Sequence, residues 1–328
     1  AQVLGDEESE ARYAALADRL ASWIEYEYFS ASGRCVVNTQ TAYALAIVSG
    51  FGDTEFSARA LGKLLSRNDG KLTTGFVGTA FLNRALSETG LAREAFDLLL
   101  NEEYPGWLYC VKLGATTIWE RWNSLDENGH ITGIDMNSMN HYSYGAIVEW
   151  LYAHVAGLRY VREEPGFRRA VIAPTPNWQL GGVSCDYHAS VGSWHVGWRC
   201  VDETHLRIEL TVPFGCTAEV TLPLADESAY EVLGGHALAT GTYELTYETS
   251  GPLRRMPTID WPLAQLMEQP DTAAVVSRHC YHPEFLLGDP EKTAMSVREL
   301  APTFVRGGGP MSEEALDTCE AELRALWE

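Results

Sequence analysis

The chain has 328 residues, 46% of them hydrophobic and 11% aromatic, a composition that can bury real cores and that excludes a disordered segment; the length accommodates roughly two to three domains. Lys and Arg total 24 against 45 Asp and Glu, a formal charge of −21. That balance repels phosphate backbones and anionic membrane surfaces, and no basic patch stands apart from it, so neither nucleic acid nor membrane is an expected partner.

The chain opens without an initiator Met and enters a helix almost at once, with Tyr13, Leu16, Ala17, Leu20, Trp23 and Ile24 at helical spacing. It reads as cut from a longer protein. Helix then follows helix to about residue 158, punctuated at Ser30 to Gly33, Gly50 and Gly52, Asn68 to Gly70, and Gly90. A last amphipathic helix is predicted after Asn140, with Tyr144, Ile147, Val148, Leu151, Tyr152 and Val155 along one face. Paired helices of this kind suit an α/α toroid.

At Gly157 the period changes. Arg168 to Pro174 begins a β-rich stretch in which Trp194, Val196, Trp198 and Cys200 alternate with other residues, as do Leu206, Ile208, Leu210 and Val212. Residues 243–248 close it, and the whole predicts an antiparallel β-sandwich. From Gly251 the pattern is helical again. Ser312 is an N-cap candidate ahead of Glu313 and Glu314, and Leu316, Cys319, Leu323 and Leu326 recur on one side. Two or three small helices are expected here, their apolar stripe packing into a core. The expected division is 1–158, 159–249 and 250–328.

Seven cysteines, at 35, 110, 185, 200, 216, 280 and 319, include no Cys-x-x-Cys pair and no clustering with histidine. Neither a disulfide framework nor a zinc site is expected. Read as reduced thiols, they point to a cytoplasmic setting. No signal peptide pattern and no 18-residue apolar run is present, although an absent leader at a cut end says nothing about the parent.

Residues Gly114 to Trp122 set a carboxylate, Glu120, between two indoles. Aromatic faces suit the C–H side of a sugar ring, and a carboxylate activates water or binds hydroxyls. Thr117 and Glu120 also have the spacing of a capping box, in which Glu120 would only satisfy a backbone N–H at a helix start. The polar run that follows Trp122 is a poor continuation for a helix. Both readings stay open at this point.

Five blocks in order carry a resemblance: Asn38 to Leu45, Thr74 to Thr79, Glu102 to Tyr109, Gly114 to Trp122, and Asn137 to Ala146. The chain closely resembles the bacterial α-L-rhamnosidases of glycoside hydrolase family 78 over about residues 1–248, with the specific blocks all before residue 158. The resemblance implies an (α/α)6 barrel of the six-hairpin glycosidase type, of which these helices would form about the second half, followed by a packing β-domain. It implies an inverting acid/base mechanism with Glu120 as general base, and it assigns His141 to substrate binding. His141 follows Asn140 at a predicted helix start, where the exposed N–H groups disfavour imidazolium; a loop-fastening role is the alternative. The expected partner is a rhamnose-containing glycoside, with no cofactor and no metal.

The general acid of the family lies in an Asp- and Glu-rich motif of the barrel's first half, and no such motif occurs here. Glu102 with Glu103 and Glu163 with Glu164 are unconvincing substitutes. The chain alone is therefore expected to be inactive. Two rival readings stay open: another inverting glycosidase on the same toroid, or a non-catalytic sugar-binding fragment.

Overall fold

The computed structural model describes residues 1–253, 257–304 and 310–326. The chain divides after Leu253 into two compact units. The first begins with helices α1 (Glu7–Tyr28), α2 (Gln40–Ser49), α3 (Thr54–Ser66), α4 (Phe76–Glu88), α5 (Ala92–Leu100) and α6 (Trp107–Lys112). Short polar side chains start three of them: Asp6 accepts from Ser9 N–H, Thr39 from Ala42 N–H, and Asp53 from Phe56 N–H. Each satisfies a backbone donor that the helix itself leaves open.

Polar residues of the sequence blocks hold these helices in place. Gln40, only 2% exposed, donates to the Lys71 carbonyl at 3.0 Å and accepts Thr73 N–H at 2.7 Å, clamping the strand of chain that leads into α4. A buried amide satisfied at both ends fixes a unique arrangement. Tyr43, Leu61, Leu82, Leu86 and Phe96 fill the space between α2, α3, α4 and α5.

Helix α1 forms, and its apolar stripe is not a core face: Tyr13, Leu20 and Trp23 are 54%, 45% and 60% exposed, because no other element among the described residues covers that side. One expectation needs correction. The single helix expected after Asn140 is a composite. A 3-10 turn (Ser143–Ala146) leads into α7 (Ile147–Trp150) and then a π-helical turn (Leu151–Val155). Changing residues per turn moves the buried face, so Val148 and Tyr152 emerge while Tyr144, Ile147, Trp150 and Val155 are buried. Trp150 is anchored by donation from Nε1 to Ser87 Oγ at 2.8 Å.

Eight strands follow: β1 (Leu158–Tyr160), β2 (Arg169–Ile172), β3 (Gly182–Ala189), β4 (Gly192–Cys200), β5 (His205–Val212), β6 (Thr217–Val220), β7 (Ala237–Leu238) and β8 (Gly241–Glu248), with helix α8 (Glu227–Leu233) between β6 and β7. They form two four-stranded sheets, ordered β1-β2-β6-β7 and β3-β4-β5-β8. All pairings are antiparallel except β2 with β6. The alternation read from the sequence is a real pleat: Trp194, Val196 and Trp198 on β4 and Leu206, Ile208, Leu210 and Val212 on β5 are all buried. Both sheets contribute to one hydrophobic cluster with the helices. Trp198 donates Nε1–H to the Val155 carbonyl at 2.8 Å, joining the sheet to the end of the π-helical turn. No helix among the described residues is long and apolar enough to cross a membrane.

The second unit holds α9 (Leu263–Glu268), α10 (Pro270–His279), α11 (Pro290–Thr293), α12 (Val297–Leu300) and α13 (Glu313–Ala325). Ser312 caps α13 as expected, accepting Ala315 N–H at 3.2 Å. Leu316, Cys319 and Leu323 pack with Ile259, Leu263, Leu266, Val275 and Val276 into a core of the unit's own, whereas Leu326 is 41% exposed.

Candidate active site

Beyond α6 the chain runs irregularly through Glu120, and no helix starts at Thr117. The capping-box reading therefore fails. Thr117 Oγ1 instead donates to the Met139 carbonyl, one rung in a ladder that laces residues 117–120 to residues 138–141. His141 N–H donates to the Ile118 carbonyl at 2.7 Å, and Glu120 N–H to the Ser138 carbonyl at 2.9 Å. Ser138 N–H returns to Glu120 Oε2 at 2.7 Å. Glu120 is half-buried, with one carboxylate oxygen pinned by a backbone donor and Oε1 free of protein partners among the described residues.

The surrounding loop is braced from beneath. Asn137 Nδ2 donates to the carbonyls of Gly133 at 2.7 Å and Ser124 at 3.2 Å. Asp126 accepts N–H groups of Asn128 and His130 at 2.9 and 2.8 Å, bonds that hold its carboxyl below the usual range, the His130 N–H most strongly. It is a fastener for the hairpin between Leu125 and Ile131. Arg121, the next residue after Glu120, turns its guanidinium to Thr132 Oγ1 at 3.4 Å. Among the described residues no ion pair joins it to Glu120.

His141 lies on the partner segment of the same ladder. Its Nδ1 accepts Ser143 N–H at 3.3 Å, so that nitrogen is unprotonated and Nε2 carries the ring's hydrogen as a donor. The imidazole stacks with Phe76 at 5.1 Å and 19° and with Tyr142 at 5.0 Å and 16°. These rings orient its edge. Neither Phe76 nor Tyr142 stood out in the sequence; their only signal is membership of the Thr74 and Asn137 blocks.

The indoles beside Glu120 are not open sugar platforms. Trp119 and Trp122 are 6% and 7% exposed. Trp122 stacks on Tyr144 at 3.8 Å, meets Trp107 edge-on at 5.1 Å, and donates Nε1–H to the Thr74 carbonyl at 3.3 Å. Large rings whose N–H groups find carbonyls are more stable inside than laid against water. Together with Trp107, Val111 and Ile118 they line an apolar cavity of about 310 Å³ that Glu120 and His141 do not line. Burial raises the Cys110 thiol to about 11 and the Tyr144 hydroxyl to about 12, so both walls stay protonated and unreactive at neutral pH. Met136 is 72% exposed at a left-handed φ of 47°; Met139 is packed against the core.

Three of the other carboxylates considered as acids are engaged elsewhere. Glu102 pairs with Lys112 at 2.8 Å and Glu103 with Lys71 at 2.7 Å. Lys71 holds the Glu103 carboxyl below its ordinary value, the reverse of what a proton donor needs. Glu164 pairs with Arg169 at 3.6 Å. What this geometry can do is accept a proton: a carboxylate with one oxygen fixed and one free is suited to polarise a water.

The family model described as the bacterial alpha-L-rhamnosidase 6 hairpin glycosidase domain matches residues 1–155, and that of the bacterial alpha-L-rhamnosidase C-terminal domain matches residues 157–236. An alpha-L-rhamnosidase of Formosa agariphila is 38% identical over 236 residues, 71% of this chain and 25% of that protein. One from an Alteromonas species is 34% identical over 67% of this chain and 24% of its own length. Among solved structures, the Streptomyces avermitilis alpha-L-rhamnosidase complexed with L-rhamnose superposes with a TM-score of 0.66 at 28% identity, covering 72% of this chain and 24% of that one. The native enzyme from Aspergillus terreus gives 0.68 at 29% identity, covering 75% and 28%. The chain thus spans about a quarter of the length of these relatives. Through a six-hairpin glycosidase domain and the C-terminal domain that follows it, this chain belongs to the bacterial α-L-rhamnosidase family.

Proposed function

We propose that this chain supplies the general-base side of an inverting α-L-rhamnosidase. Glu120 takes a proton from the water that attacks the anomeric carbon of a terminal α-L-rhamnose, and His141 donates from Nε2 to a sugar hydroxyl. The leaving oxygen is protonated by a carboxylic acid on another part of a longer protein. The observation that carries the reading is the Ser138 N–H on Glu120 Oε2 at 2.7 Å, because a backbone donor that fixes one carboxylate oxygen aims the other.

In an inverting reaction the base and acid lie on opposite faces of the ring, far enough apart to admit a water. No carboxyl of this chain is assigned to the acid: Glu102, Glu103 and Glu164 are each in an ion pair. Further helices of the toroid would cover the apolar side of α1, whose exposed tyrosines and tryptophan are otherwise an unfavourable surface. The expected substrate is a rhamnose-containing glycoside, and the expected setting, from the seven unpaired cysteines, is the cytoplasm.

Proton NMR of the anomeric region during hydrolysis of an aryl α-L-rhamnoside by the longer protein tests the mechanism. Release of β-L-rhamnose first, with the α-anomer appearing only by mutarotation, is expected. First release of α-L-rhamnose would make Glu120 a nucleophile or a bystander and overturn the assignment.

A further inference from the structure

Neither family model reaches residues 254–328, and the second unit has a feature its core does not require. Between α10 and α11, Tyr281 and Phe285 are 54% and 76% exposed, with Leu287 beside them at 43%. His282 lies between the two rings, 4.4 Å from Tyr281 and 5.1 Å from Phe285 by ring centroids. Its Nδ1 is 2.7 Å from Glu284 Oε1.

The turn is anchored at Pro283. His282 has a left-handed backbone, φ 52° and ψ 54°, which is disfavoured for a non-glycine residue and more so before a proline. Pro283, by contrast, is buried, so the turn is fixed to the unit while the rings face solvent. Strain kept at an exposed aromatic turn is a reason to look for a ligand there. The hydrogen bond from His282 holds the Glu284 carboxyl below its ordinary value, leaving an ionised acceptor among the rings.

Rings alternating with a phenol, an imidazole and a carboxylate match a pyranose, which offers C–H faces and equatorial or axial hydroxyls within one small surface. A protein partner would demand a dry apolar centre and on the order of 800 Å² from each side, and this turn offers a few side chains. We propose that Tyr281, His282, Glu284 and Phe285 form a glycan-contact site on the helical unit, binding a rhamnose-bearing polysaccharide. The site goes beyond the proposed hydrolysis, and only the choice of rhamnose rests on that reading.

Affinity electrophoresis of the whole chain in native gels with and without a soluble α-linked rhamnan tests it. The chain should be retarded by the polymer, and Tyr281→Ala with Phe285→Ala should weaken retardation at least tenfold. Phe285→Ala alone should give an intermediate loss. Both side chains are exposed, so thermal melting of the variants should stay at the parent value, which separates lost contact from lost fold. No retardation of the parent or equal retardation of the double variant would each overturn the site. So would a double variant that changes the sedimentation coefficient without changing retardation, since the rings would then bind a second copy. Activity of the longer protein on an aryl rhamnoside is read separately, so failure of the hydrolytic reading is distinguishable from failure of this one.

Discussion

Glu120 and Ser138 are joined twice: the carboxylate Oε2 receives Ser138 N–H at 2.7 Å, and the Glu120 N–H donates to the Ser138 carbonyl at 2.9 Å. The same backbone segment holds both the main chain and the carboxylate of Glu120. Replacing Glu120 by Gln keeps the shape and removes the ability to take a proton. In the longer protein this change should lower kcat by about 10²–10⁴ or more while leaving sugar binding nearly unchanged. Steady-state kinetics on an aryl α-L-rhamnoside read the outcome, and azide should restore part of the turnover. A kcat within a few-fold of the parent would reduce Glu120 to a loop fastener.

The purified 328-residue chain should show no turnover of the same substrate. Under the proposed mechanism its general base lacks a partner acid among the described residues, and the exposed stripe of α1 should make it prone to associate. Hydrolysis by the chain alone, followed by release of the aryl chromophore, would require an acid among its own residues.

How far the sequence reaches can be judged residue by residue. Strands β4 and β5 were legible because a half-buried sheet imposes a period of two on Trp194 through Cys200 and Leu206 through Val212. The segment after Asn140 was not, because a 3-10 turn, an α-helical turn and a π turn have different periods and one helical wheel cannot describe them. The stripe on α1 obeys the helical period without being buried; periodicity reports amphipathicity, not what covers it. At the site, the resemblance drew attention to Glu120 and His141. The Ser138 link was invisible, since it uses backbone atoms, and Phe76 reaches His141 only through tertiary packing. The indoles beside Glu120 misled, because an aromatic residue near a carboxylate looks the same in sequence whether it faces sugar or core.

His141 offers an edge, with Nδ1 already accepting Ser143 N–H. A group that positions the sugar should act on ground and transition states alike. His141→Ala in the longer protein should raise KM roughly tenfold, as expected for a buried hydrogen bond of about 1.5 kcal/mol, with kcat little changed. The pH profile should keep its limbs. Loss of a limb near the histidine range would mean His141 moves protons, and unchanged kinetics with reduced thermal stability would mean it only fastens the loop.

Gly157 and Gly90 provide a matched pair, both at φ 81°. A Cβ at Gly90 would meet nothing within 4 Å, whereas at Gly157 it would lie 2.2 Å from the Ala173 carbonyl carbon and the Pro174 nitrogen. Gly90→Ala should therefore cost about 1 kcal/mol, the conformational penalty alone. Gly157→Ala must move backbone at the join between the π-helical turn and β1, and should cost more than about 3 kcal/mol or prevent folding. Urea denaturation of both variants compares them; equal losses would show that the join yields easily.

His154 lies in the π-helical turn, 8% exposed, and its side chain is lowered to about 4 by burial first and by Arg159 second. The fold therefore holds the neutral ring, while an unfolded chain protonates it near 6.5. Between those values the unfolded state binds the extra proton, so stability is full above pH 6.5 and falls as pH drops toward 4, below which this contribution is constant. The loss is on the order of 1–3 kcal/mol. Carboxylates add their own acid sensitivity, so the test is a difference: urea midpoints of the parent and His154→Gln measured from pH 7 to pH 4. The parent should lose stability faster than the variant across that window. Parallel curves would mean that His154 is solvated well enough to titrate at its ordinary value and contributes nothing to acid unfolding.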